Sequence, residues 1–94
     1  YVNNTRLPGP KLDGAKWLSD KKVFAVGSDT VAFEKVPGME VHRHLLVDCG
    51  IHIIEVLNLE ELARDHVHEF LLVAAPMNIR GGTGSPVRPL AFRL

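Results

Sequence analysis

The chain has 94 residues, with 11 Lys plus Arg balanced by 11 Asp plus Glu, so its formal charge is zero before its five histidines are counted. That balance excludes an electrostatic grip on nucleic acid or on an anionic membrane surface. An apolar fraction of 46% excludes disorder, no apolar run reaches the ~18 residues of a membrane span, and the single cysteine, Cys49, excludes an internal disulfide and suits a reducing cytoplasm.

Residues 1–10 predict an extended arm, because Pro8-Gly9-Pro10 blocks helix. The sequence opens at Tyr1 rather than Met and is expected to be a piece of a longer protein. Lys11–Lys21 carries Leu12, Ala15 and Leu18 at helical spacing. Val23-Phe24-Ala25-Val26 predicts a short buried strand, ended by the polar turn Gly27-Ser28-Asp29-Thr30. Val31–Val36 is weakly strand-like, and Pro37-Gly38 breaks it. Glu40–Asp48 predicts a short helix stopped at Cys49-Gly50, with Gly50 suited to a left-handed cap. Ile51–Leu57 is apolar on both faces apart from His52 and Glu55, which predicts a central strand of a covered sheet. Asn58 is placed to cap a helix over Leu59–Arg64, with Glu60 and Glu61 favourable in its first turn. Phe70–Ala75 predicts a second buried strand, Arg80–Pro86 a loop, and Val87–Arg93 a last strand interrupted by Pro89. The alternation of helix and strand patterns indicates an α/β domain, with α+β the alternative.

The chemistry-bearing residues cluster around this helix–strand unit. Glu55 shares a strand face with Ile51, Ile53 and Leu57, where a carboxylate is costly to bury unless it is paired, hydrogen-bonded or bound to a metal. A structural ion pair with Lys or Arg would satisfy it equally well. His42 and His44, two residues apart, point about 200° from one another on a helix, so only one of them is expected to face a site. His52, His66 and His68 have no ligand-like context. Asp29 sits at a strand end, where active sites are often built, but turn formation accounts for it as well. The loop Gly81-Gly82-Thr83-Gly84-Ser85 lacks the Lys of a phosphate-binding loop, and Pro86 stands where the following helix would begin. Cys49 has no general base placed beside it by sequence and is expected to be a small buried thiol.

Taken in order, Ala15-Lys16-Trp17-Leu18, Val26-Gly27-Ser28-Asp29-Thr30, Val41-His42-Arg43-His44-Leu45-Leu46, Gly50-Ile51-His52-Ile53-Ile54-Glu55, Leu57-Asn58-Leu59-Glu60-Glu61-Leu62 and Ala75-Pro76-Met77-Asn78-Ile79 followed by Gly81–Arg88 resemble the C-terminal part of the cyclase family that includes bacterial kynurenine formamidases and isatin hydrolases. The resemblance covers roughly residues 7–94. It implies a compact β-barrel-like sheet core covered by helices, with the chain one part of a single hydrolase domain. It also implies a metal-dependent hydrolase of amide bonds in small formamides or cyclic amides, using zinc or manganese. A His three residues before a Leu-Leu pair and a Glu in the next strand complete the metal site in such proteins, and these match His42 and Glu55. The interval between them is one residue longer here than in the family, and His44 is the alternate ligand. Glu55 would bind the metal or orient its water.

The family's main metal motif, His-x-Gly-Thr-His-x-Asp-x-Pro-x-His, does not occur in these residues. Most of the metal's ligands are therefore expected from remaining N-terminal polypeptide or a companion chain, in a homo-oligomeric cytoplasmic protein acting on a small molecule, with no nucleic acid or membrane partner. The alternative is a non-catalytic relative or structural subunit without that motif.

Overall fold

Ala15, Phe33, Val41, Leu45 and Ile51 are the buried apolar side chains around which the first part of the chain folds, with Leu18, Val23, Val26 and Ile53 packed on them. A computed structural model describes residues 7–94, and the chain divides after Leu59 into two compact units.

In the first unit, helix α1 spans Leu12–Asp20 and turns Ala15 into the core while Trp17 stays exposed beneath the Lys21 ammonium. Strand β1, Ala25–Gly27, pairs in parallel with β2, His52–Ile54, in the register Ala25↔His52, Val26↔Ile53 and Gly27↔Ile54. Between them, α2 (Glu40–His42) runs directly into a π-helical segment, Arg43–Asp48. The wider turn shows in the bond from the Cys49 N–H to the His44 carbonyl. Val41 and Leu45 lie four apart on the inward side and are completely buried, each contributing about 1.5–3 kcal/mol of hydrophobic stabilisation. Gly50 ends the segment at φ 65°, the left-handed conformation that glycine adopts without strain.

The expected strand over Ile51–Leu57 is shorter in the structure. It stops at Ile54, because the backbone turns at Val56, which takes φ 58°, and the Val56 and Leu57 N–H groups bond to the carbonyls of Thr30 and Ser28. Ile51 is buried, but Val56 is exposed. Residues 31–36, weakly strand-like by sequence, form bends rather than strand. The described end of the arm, residues 7–10, lies along them: the Lys35 N–H bonds to the Pro10 carbonyl, and the Val36 N–H to that of Leu7. Residues 1–6 of the expected arm lie outside the described residues.

In the second unit, helix α3 spans Glu60–Arg64, and β3 (Phe70–Val73) pairs antiparallel with β4 (Leu90–Arg93). Leu71, Val73, Leu90 and Phe92 share one face of this ribbon and are all exposed, as is Leu72 on the other. The expectation of a buried strand over Phe70–Ala75 thus fails within the described residues, where Leu71, Leu72 and Val73 are exposed. The mixed helix and strand content agrees with the α/β expectation. The described strands form two separate two-stranded sheets and no closed barrel.

Candidate functional site

Glu34 is the buried polar residue of the first unit, with a relative exposure of 1%. Its carboxylate lies at the start of α2, where the first backbone N–H groups of a helix have no intrahelical partner. Oε2 accepts from the Val41 N–H at 3.2 Å, and Oε1 accepts from the His42 N–H at 3.0 Å. Met39, at the cap position, makes no side-chain cap bond, and the cap is supplied by Glu34, five residues earlier. Oε1 also lies 2.6 Å from Nδ1 of the His42 ring. Burial pushes the Glu34 carboxyl up. The hydrogen bonds from the His42 ring and from the His42 and Val41 N–H groups, with the charge His42 carries when protonated, outweigh that and hold the carboxyl below its ordinary value.

The opposite nitrogen of the same ring, Nε2, lies 3.7 Å from Oε2 of Glu55. Glu55 follows β2 directly, and Oε2 is held by the Phe33 N–H at 2.7 Å. The structure therefore brings His42 and Glu55 together, although thirteen positions separate them in the sequence. With Nδ1 facing one carboxylate, the lone pair of a neutral Nε2 would face another. A cation between Nε2 and Oε2 resolves that repulsion, either a proton on the ring or a metal ion. The 3.7 Å separation is compatible with either: it is an ion-pair distance, and it is near the ~3.4 Å between two ligand atoms on a tetrahedral zinc with bonds of ~2.0–2.2 Å. Among the described residues, no group of three or more His, Cys, Asp or Glu is arranged to hold a metal.

His44 has different neighbours. Its Nε2 lies 2.9 Å from the Ser19 hydroxyl and 3.6 Å from the Cys49 sulfur, and its Nδ1 lies 3.9 Å from Asp48. Cys49, expected to be buried, is exposed, because it follows the π-helical turn on its outer side. Asp29 is exposed in the turn after β1, where Ser28 and Thr30 bond to each other through their hydroxyls. His52 stacks at a tilt on Phe24. The Gly81–Ser85 loop is followed by the bridge between Pro76 and Val87 rather than by a helix.

Glu34 is the site residue that sequence patterning missed. The sequence offers a weak cue at most: Ala32-Phe33-Glu34 places a carboxylate after two apolar residues, but without the periodicity that would put it on a strand face.

A solved structure described as a novel cyclase superposes with a TM-score of 0.84 over 94% of this chain at 37% identity, covering 31% of that structure's chain. The likeness is that of a cyclase-family fragment. An isatin hydrolase from Roseibium aggregatum is 34% identical over 91 residues, 90% of this chain and 34% of its own. A kynurenine formamidase from Bacillus cereus is 31% identical over 83 residues, 87% of this chain and 38% of its own. The chain thus spans little more than a third of the length of these cyclase-family relatives. No family model matches it. No helix among the described residues is long and apolar enough to cross a membrane.

Proposed function

We propose that this chain contributes part of the metal site of a hydrolase acting on amide bonds of small formamides or cyclic amides. The observation that carries the proposal is the approach of His42 Nε2 to Glu55 Oε2, with the far side of the ring held by Glu34 and that same Oε2 held by the Phe33 N–H. Imidazole nitrogen with carboxylate oxygen is a donor set for zinc or manganese. When bound, such an ion lowers the pKa of a water toward neutrality and polarises a carbonyl. His42 offers a directed lone pair, and Glu55 offers an oxygen that can bind the ion or orient a water beside it. The names of the relatives, isatin hydrolase and kynurenine formamidase, support the substrate class.

The remaining ligands come, in this proposal, from further polypeptide, either upstream or from a companion copy. The apolar face of Leu71, Val73, Leu90 and Phe92 supports that view, because a lone two-stranded ribbon does not sustain itself in water. The single cysteine suits a cytoplasmic setting.

The test is metal content and hydrolysis of isatin and of an N-formylated aryl amine by the full-length protein, these 94 residues together with the further polypeptide, compared with His42→Ala and Glu55→Gln. Bound zinc or manganese, with turnover lost in both variants, is the expected result. A protein that binds neither ion and hydrolyses neither compound would instead be a non-catalytic relative, with His42 and Glu55 a structural ion pair.

A further inference from the structure

We infer that Glu34 is a positioning residue: it holds His42 in the tautomer with the proton on Nδ1, so that Nε2 presents its lone pair toward Glu55. The inference rests on the metal-site proposal for its functional meaning, but its geometry stands on the structure alone.

Three N–H groups converge on this one carboxylate. Oε2 takes the Val41 N–H, while Oε1 takes both the backbone N–H and the ring of His42. A carboxylate that accepts from backbone donors on both oxygens is an acceptor toward the ring as well, so the proton in the 2.6 Å contact belongs to Nδ1. Which nitrogen of a histidine is free is set by the hydrogen bond that the other one makes. Because the same oxygen grips main chain and ring of one residue, the ring is fixed in rotation as well as in tautomer.

The residue that carries the carboxylate is closely packed. It is buried, and the arm passes so close that a Cβ on Gly9 would lie 2.3 Å from the Glu34 carbonyl carbon. Partners of this kind typically alter metal affinity or activity by roughly 10–100-fold when removed.

The primary experiment is nitrogen-15 NMR of the imidazole rings in the metal-free full chain, at a pH where they are neutral. The His42 signals are assigned by their loss in His42→Ala. The expected result is a protonated Nδ1 and an unprotonated Nε2 in the wild type. In Glu34→Gln the side-chain amide can donate where the carboxylate only accepted, so the tautomer should become mixed or inverted. Zinc alone, titrated by calorimetry, should bind Glu34→Gln roughly 10–100-fold more weakly, at unchanged stoichiometry. A wild-type His42 protonated at Nε2 overturns the inference without any variant, so failure of Glu34→Gln to fold does not shelter it. An unchanged tautomer and unchanged zinc affinity in a folded Glu34→Gln overturn it too. If instead His42→Ala and Glu55→Gln bind zinc as the wild type does, the metal-site proposal fails, while the tautomer still decides the role of Glu34.

Discussion

Glu34 and His42 are joined twice through a single oxygen: Oε1 of Glu34 takes the backbone N–H of His42 at 3.0 Å and its ring nitrogen at 2.6 Å. Helix capping and ring orientation are therefore one interaction, and a change at Glu34 is felt in fold stability and in the site together.

That coupling has a definite pH signature. The folded Glu34 carboxyl is held below its ordinary value, so its stabilising effect is fully present above the unfolded value, ~4.3, and is lost as pH falls through the folded one. At neutral pH, Glu34→Gln should be destabilised by about 1.5–3 kcal/mol, the worth of hydrogen bonds to a charged group. Urea unfolding across pH should show a constant gap between the two proteins down to about pH 4–5, narrowing below it. A gap that widens in acid would contradict the assignment.

Glu55→Gln should separate function from folding. Gln keeps an oxygen for the Phe33 N–H, and the side chain is partly exposed, so thermal stability should change by less than about 1 kcal/mol. Turnover should fall at least about 100-fold if an ion held there supplies several kcal/mol in the transition state. Parallel losses of stability and activity would point to a structural ion pair instead.

Gly9→Ala tests the support beneath Glu34. The new methyl would stand 2.3 Å from the Glu34 carbonyl carbon and 2.5 Å from the Lys35 nitrogen, both backbone atoms that cannot swing aside. A destabilisation of about 1–3 kcal/mol is expected, the usual cost of overpacking, together with altered His42 ring signals. Unchanged signals would show that the arm does not bear on the site.

Residues 1–94 expressed alone should associate or bind a hydrophobic dye, because Leu71, Val73, Leu90 and Phe92 present a continuous apolar face. Sedimentation and dye fluorescence check this. A monomer that ignores the dye and unfolds cooperatively would refute the proposed need for further polypeptide.

The helix over Lys11–Lys21 and the Cys49-Gly50 stop were legible in the sequence, because each rests on local spacing; the pairing of Glu55 with His42 came from the resemblance to the cyclase family, since spacing alone left Glu55 open to an ordinary ion pair. Glu34 was not legible, since residues 31–36 have no periodicity and its burial depends on Gly9 and the start of α2 returning to it. Burial of Phe70–Ala75 was misjudged for a related reason. A two-faced apolar strand states what a chain needs, whereas its exposure depends on which other polypeptide is present.

The π-helical turn at Arg43–Asp48 lies in the interval between His42 and Glu55, which the resemblance read from the sequence makes one residue longer than in the family. A hydrogen bond that spans five residues rather than four takes up one extra residue within a single turn. On that reading the segment is slack in the chain, a bulge that absorbs length between the helix that carries His42 and the strand that precedes Glu55. Shortening the bulge by one residue, at exposed Val47 for instance, would restore an ordinary helical turn rather than break the site.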